Sequence, residues 1–309
     1  MAVYREISRG LREELGLDPG TALRELESAI LRQDPDVLVR RPPPSLLSSP
    51  SPPVPAQLPG SVPIVGRGAQ IRALDALAEP VADADFSGPA SIASITGPAG
   101  IGKTALAVHW ARGAAGAFPD GQLYADLHGS GLGEIEADTS ETLRSFLVAL
   151  GVQPDWISSD ASARAAQFRG VLAGRRVLIL LDNVRDAEQV RPLLPGAPGC
   201  LVLVTSRNPL ASLVVTEGAT ALPLGSLTPD EGLALLKRRL GPARLAAEPG
   251  PVRSVLENSR GLPLAISLAA AWAAMHPQLP IAAYAVDPGR IATTFDSPRR
   301  SMLWMAATT

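Results

Sequence analysis

The sequence predicts an α/β protein: a parallel sheet flanked by helices, followed by a helical segment and preceded by the remnant of a helical repeat. Three observations predict this. Five short apolar runs alternate with helix-forming stretches between residues 91 and 224, the pattern of parallel strands joined by crossover helices. A glycine-rich turn separates the first run from the first of these helices. From Thr228 onward only helical patterns remain.

Taken in order, Ile7, Leu11 and Leu15 recur at helical spacing, with Gly16 where a C-terminal cap belongs. Asp18-Pro19 supplies an N-cap and a proline at N1 for a second helix carrying Leu23, Leu26 and Ile30. Two such short helices cannot enclose a core, so they read as the last piece of a helical repeat. Nine prolines between Pro42 and Pro63 favour extended conformations and predict a linker rather than an SH3-type ligand. The strands are expected at Ser91–Thr96, Gln122–Leu127, Arg176–Leu181, Leu201–Thr205 and Ala219–Leu224. Helices are expected to start near Lys103, near Asp138, where Glu141 completes capping-box spacing, and near Asp160. Thr228-Pro229-Asp230-Glu231 opens a helix as a capping box, with Leu233, Leu236 and Leu240 as its apolar face; further helices run about Pro251–Asn258 and Pro263–Met275. The resulting domains are 1–40 (helical), 41–63 (linker), 64–225 (sheet), 226–286 (helical) and 287–309 (the start of a further region or a tail).

Composition excludes several classes. Lys+Arg 28 against Asp+Glu 30 gives a net charge of -2, which offers no general electrostatic reason to bind nucleic acid or an anionic membrane. The single cysteine, Cys200, rules out an intrachain disulfide and a Cys-based zinc site. The N-terminus lacks an apolar h-region, and the longest apolar stretch, Leu262 to Met275, falls short of the roughly 20 residues a spanning helix needs. A cytoplasmic protein without a membrane partner is expected.

The chemistry starts at Gly97-Pro98-Ala99-Gly100-Ile101-Gly102-Lys103-Thr104, which fits the phosphate-loop pattern G-x-x-x-x-G-K-[ST] and lies between a strand and a helix. Glycines let backbone N–H groups turn inward around a β-phosphate, and the helix N-terminus adds positive potential. Lys103 would then reach the β/γ oxygens and Thr104 would offer a hydroxyl to Mg²⁺. At this composition the pattern arises by chance on the order of 0.002 times per chain. Only Lys103 and Lys237 are lysine among the 28 basic residues, so a lysine at this position is notable.

A phosphate loop needs a carboxylate at the end of a neighbouring strand for the metal's water shell. Val177-Leu178-Ile179-Leu180-Leu181-Asp182 supplies one; the alternative is Asp182 as a helix N-cap. Asn183 follows, where hydrolysing relatives carry a second acid. An amide is a poor base, so slow hydrolysis is expected unless a carboxylate comes from elsewhere. The next strand ends in Val204-Thr205-Ser206-Arg207, which puts Arg207 at the same edge as a γ-phosphate sensor or as a surface arginine. Neither lysine sits in the Asn-Lys-x-Asp that reads guanine, which favours adenine.

Val65-Gly66-Arg67, the phosphate loop, Leu181-Asp182-Asn183, Val204-Thr205-Ser206-Arg207 and Gly261-Leu262-Pro263-Leu264-Ala265 occur in the order of an NB-ARC domain. From about Leu58 to Met275 the chain resembles this signalling ATPase module of the STAND class. Leu11-Arg12-Glu13-Glu14-Leu15-Gly16-Leu17-Asp18-Pro19 looks like the end of a bacterial transcriptional activation domain. The pairing resembles SARP/AfsR-like actinomycete regulators.

The resemblance implies that Val65, Gly66 and Arg67 border the adenine and ribose, and that Pro263 packs on the base. It implies that ATP/ADP with Mg²⁺ are the cofactors and that ADP closes the module while ATP opens it, with ATP-dependent assembly of like copies. DNA would be reached only through domains outside this chain. Such regulators are longer on both sides, and the resemblance implies that 287–309 is the start of a truncated winged-helix region or a tail, so the chain is expected to be a fragment or truncated product. Gly68-Ala69-Gln70 departs from the family by lacking the acids that often follow the Gly-Arg pair. The competing reading is a metabolic P-loop enzyme, such as a small-molecule kinase, with the C-terminal helices as a lid. The small, glycine-rich His128–Glu134 loop offers no convergent charges for a second substrate and disfavours it.

Overall fold

The computed structural model describes residues 54–82, 90–127 and 138–281. The chain divides into two compact units, Met1–Pro52 and Pro53–Thr309, and every described residue belongs to the second. The expected N-terminal helix pair, the His128–Glu134 loop and the 287–309 region lie outside the described residues.

Five strands, β1 (Ser91–Thr96), β2 (Gln122–Asp126), β3 (Leu178–Val184), β4 (Leu201–Ser206) and β5 (Thr220–Pro223), form one parallel sheet in the order β2-β3-β4-β1-β5. All five predicted strands are present, with ends displaced by three residues or fewer. The largest displacement is at β3, which continues past Asp182 to Val184 through a register shift between Leu181 and Val184. Because β1 pairs with both β4 and β5, the chain leaving β1 must cross to the far edge. This is a topological switch point, where a crevice opens beyond the carboxyl ends of the strands.

Alternation along the buried strands assigns one set of side chains to each face. Leu178, Leu180, Leu201, Leu203, Ala93 and Ile95 pack beneath α1 (Gly68–Ala82) and α2 (Lys103–Gly113). Ile179, Leu181, Val202, Val204 and Ile92 pack on the opposite face with α3 (Thr139–Ala149) and α4 (Ala161–Leu172). That face also receives the short α5 (Ala187–Val190) and α6 (Ala211–Glu217). A third core lies within α7 (Pro229–Leu240), α8 (Pro242–Ala247), α9 (Pro249–Asn258) and α10 (Pro263–Met275).

Four details differ from the sequence reading. The helices α1, α5, α6 and α8 are additional; on α1, Ile71, Leu74 and Leu77-Ala78 face the sheet. At Asp138 the N-cap forms through Ser140 N, while Glu141 pairs with Arg144 at 3.4 Å. On α7 the predicted Leu236 is buried and Leu240 packs on the same core, but Gly232 and Leu235 complete the buried face and Leu233 is exposed. The reason is steric: a Cβ on Gly232 would lie 2.9 Å from Leu256 Cδ2 and 3.2 Å from Ile266 Cδ1, so the helix packs on its glycine stripe. Finally, Pro55–Leu58, which composition assigns to the linker, is bonded to the sheet edge. Gln122 N donates to Pro55 O (2.7 Å) and Gln57 N donates to Gln122 O (3.0 Å).

Candidate functional site

Beyond Thr96 the chain turns through Gly97 (φ 148°), Gly100 (φ 74°) and Gly102 (φ 94°), conformations that favour glycine. Space demands it as well, since a Cβ on Gly100 would lie 2.9 Å from Leu264 Cβ. Pro98 is exposed, Ala99 is half-buried, and the buried Ile101 pins the loop into the core under α1 and α2. Gly102 caps α2 without a side-chain bond, which leaves the first N–H groups of that helix available at the loop. Lys103 is buried and donates to Gly97 O (3.0 Å) and Pro98 O (3.1 Å), lying across the turn. Its ammonium pKa is lowered by burial first and by the Arg207 guanidinium second, against the pull of Asp182. The charge of an anion cradled by the loop would oppose that shift by favouring the ammonium.

Asp182 is 2% exposed and hydrogen-bonded through both oxygens. Its Oδ1 accepts from Thr104 Oγ1 at 2.8 Å and from Thr205 Oγ1, and its Oδ2 accepts from Tyr124 OH at 3.4 Å. Burial pushes its carboxyl pKa up, the Thr205 and Thr104 hydroxyls work against that shift, and the neighbouring Asp126 adds to it. Tyr124, half-buried, has its phenol pushed up by burial, then by Asp182 and Asp126. Asn183 sits at φ 54°; its N–H donates to Thr205 Oγ1 (3.0 Å) and its Nδ2 to Asp126 Oδ1 (3.0 Å). Asp182 is no N-cap; that role falls to Asp186, which accepts from Gln189 N before α5.

The donors Thr104 and Asp182 are hard oxygens, as Mg²⁺ requires. Among the described residues no group of three or more His, Cys, Asp or Glu side chains could hold a metal ion. A divalent cation here would therefore lean on Thr104, Asp182 and the oxygens of a phosphate ligand, the usual arrangement for Mg²⁺ in phosphoryl-transfer sites. Arg207 follows β4 at the same edge, exposed yet close enough for its charge to act on Lys103.

A cleft of about 100 Å³ lies beside the loop and is lined by Val62, Ile64, Val65, Arg67, Leu235 and Pro263 among others. One wall comes from the sheet layer and the other from α7 and α10. Arg67 (φ 68°) does not project freely into it: its guanidinium donates to Gly225 O (2.7 Å) and Ile101 O (3.0 Å). Burial lowers the Arg67 pKa and Glu231 raises it. Gly66 abuts Glu231, whose Oε1 would lie 2.1 Å from a Cβ there. Pro263 opens α10, and the next residue's N–H, from Leu264, donates to Gly100 O at 3.1 Å.

The fold thus gathers residues 97–104, Asp182 and Arg207 at one sheet edge, and Val65, Arg67 and Pro263 around the adjoining cleft. The sequence reading did not single out Thr205 as a partner of Asp182, nor Tyr124 and Asp126. Their signal was the pairing of Asp126 with Asp182 across β2 and β3, which requires the strand order to be known.

The NB-ARC domain family matches residues 73–246, and the bacterial transcriptional activator domain matches residues 1–31. Regulatory protein AfsR of Streptomyces coelicolor is 43% identical over 272 residues, covering 87% of this chain and 27% of that protein. The AfsR of Streptomyces griseus is 44% identical over 275 residues, with the same coverage of 87% and 27%. The chain thus spans about a quarter of the length of these relatives. Among solved structures, a signal transduction ATPase with numerous domains from Pyrococcus horikoshii, bearing a tetratricopeptide repeat sensor, aligns at 20% identity and TM-score 0.47, covering 69% of this chain and 31% of its own. With a family match that takes in more than half its residues, the chain belongs to the NB-ARC family.

Proposed function

We propose that this chain is a nucleotide-binding regulatory module that takes ATP or ADP with Mg²⁺, hydrolyses ATP slowly and converts nucleotide state into domain rearrangement. The carrying observation is the docking of α10 on the phosphate loop, through Leu264 N to Gly100 O (3.1 Å) and through Pro263 at the cleft wall. A nucleotide whose phosphates lie in the loop and whose base lies in the cleft touches both the sheet layer and the helical layer. A ligand that makes different contacts with the two layers in its two forms shifts their arrangement by its differential affinity.

In this reading residues 64–225 form the nucleotide-binding layer and 226–286 the helical layer, joined through 41–63 to the 1–40 segment. Gly97 to Thr104 cradle the phosphates with backbone N–H groups, and Lys103 leaves its two carbonyls for the β/γ oxygens. Thr104 and Asp182 hold the cation, whose chemistry is to neutralise charge on the β- and γ-phosphates. Arg207 faces the γ-phosphate, while Val65, Gly66, Arg67 and Pro263 border the nucleoside. The relatives named AfsR are regulatory proteins, which supports a role in transcriptional control, with DNA contacted through other segments and ATP favouring assembly of like copies. Isothermal calorimetry on Lys103→Ala tests the reading: ATP and ADP affinity should fall at least tenfold, about 1.4 kcal/mol. Unchanged affinity in a folded variant would overturn it.

A further inference from the structure

Asn183 leaves the slow hydrolysis just proposed without an acidic side chain after Asp182, and the sheet brings one from another strand. Asp126 ends β2 directly opposite Asp182 in the parallel register, at the same carboxyl edge as the phosphate loop. Tyr124, two residues earlier on the same face of β2, reaches Asp182 Oδ2 (3.4 Å), so this face of β2 is turned toward the metal-holding carboxylate. Asp126 is half-buried rather than sealed, which leaves it accessible to a water molecule. Its Oδ1 accepts from Asn183 Nδ2 at 3.0 Å, an interaction that fixes the carboxylate beside the backbone position where a second acid would otherwise stand. The left-handed backbone of Asn183 (φ 54°), a conformation asparagine tolerates better than most residues, aims its amide at that partner.

We infer that Asp126 is a catalytic residue for ATP hydrolysis, supplying the carboxylate that Asn183 lacks. This rests on the nucleotide-binding reading above. In the step, the water oxygen forms a bond to the γ-phosphorus while the bond from that phosphorus to the β–γ bridging oxygen breaks. The electron pair stays on ADP, and the water's proton passes to the Asp126 carboxylate and then to solvent. Asn183 holds Asp126 in place and Asp182 stays with Thr104, so the two carboxylates divide the work of orienting water and holding cation.

The test uses the full chain, with single-turnover hydrolysis and Mg²⁺·ATP affinity measured on the same samples. Asp126→Asn should bind Mg²⁺·ATP within about threefold of the parent and hydrolyse it about a hundredfold more slowly, the scale of a lost proton acceptor. Hydrolysis within twofold of the parent at retained affinity overturns the assignment, and so does a loss of hydrolysis explained by lost binding. The exchange Asp126→Asn with Asn183→Asp keeps the amide–carboxylate pair and the net charge, and serves if the single variant does not fold. It should recover at least tenfold of the lost rate, whereas a folded, ATP-binding exchange variant without turnover overturns the assignment. Failure of the parent chain to bind ATP would instead strike the nucleotide-binding reading itself.

Discussion

At Asp182 one carboxylate meets two opposed demands. Metal binding needs it ionised, while burial raises its pKa above the ordinary carboxylate value that it has in the unfolded chain. The folded chain therefore holds the proton more tightly than the unfolded chain does. The stability that this contributes is fully present below the ordinary value and is lost as pH rises through the folded one. Above its ordinary pKa Asp182 therefore costs stability, so Asp182→Asn should raise the melting temperature of nucleotide-free chain at pH 7, with the difference closing as pH falls toward about 4. The same substitution should weaken Mg²⁺·ATP more than metal-free ADP. Calorimetric melts across pH check the first part, and a lower melting temperature for the variant at pH 7 would contradict it. Lys103, Thr104 and Asp182 were legible because their motifs are contiguous in sequence. Thr205, Tyr124 and Asp126 converge on Asp182 only through the order β2-β3-β4, which no local pattern encodes.

At the scale of elements, legibility followed the strength of the local signal. The apolar runs of the five strands and the Thr228–Glu231 capping box are strong, and the structure contains both: Thr228 Oγ1 accepts from Glu231 N (3.2 Å) and Glu231 Oε2 from Thr228 N (2.8 Å). Thr228→Ala should lower stability by about 1 kcal/mol in denaturant titration. On α7 Leu236 and Leu240 face the core as their spacing predicts, while Leu233 was misplaced because leucine spacing alone ignores a glycine that permits close packing. The helix α1 escaped because it has no acidic residue in its first turn to mark its start. The entry to α10 depends on Gly261 (φ 69°), where a Cβ would lie 2.4 Å from Leu227 O, and Leu227 N donates to Gly261 O at 2.8 Å. That obstacle is backbone and cannot rotate away. Gly261→Ala should therefore cost about 2 kcal/mol or more, combining left-handed strain with displacement, and should also weaken nucleotide binding by shifting Pro263. Equal stability of variant and parent would contradict this.

For the molecule as a whole, a ligand held between the sheet layer and the helical layer should stabilise both together. Mg²⁺·ADP at a hundred times its Kd adds about 2.7 kcal/mol. For a domain of this size that corresponds to roughly 5–10 °C in one shared melting transition. Two transitions of which only one moves would show that the layers respond separately. With a net charge of -2, the isolated chain should bind DNA no more tightly than the ~10⁻⁶ to 10⁻⁴ M non-specific range at about 150 mM salt, as anisotropy titration would show. The proline-rich strap along β2 bears on solubility. Pro55, Gln57 and the Gln57 side chain occupy the outward backbone groups of Gln122 and Tyr124, and Arg112 clamps the strap through Leu58 O (2.9 Å) and Pro59 O (2.5 Å). Strand β2 lies at the end of the sheet, so those groups would otherwise be a template for strand addition by another chain, while prolines on the strap discourage further pairing beyond it. A version of the protein shortened to start at residue 64 should self-associate in light scattering, and one that keeps residues 54–63 should remain dispersed: the strap acts as a guard against edge-to-edge aggregation.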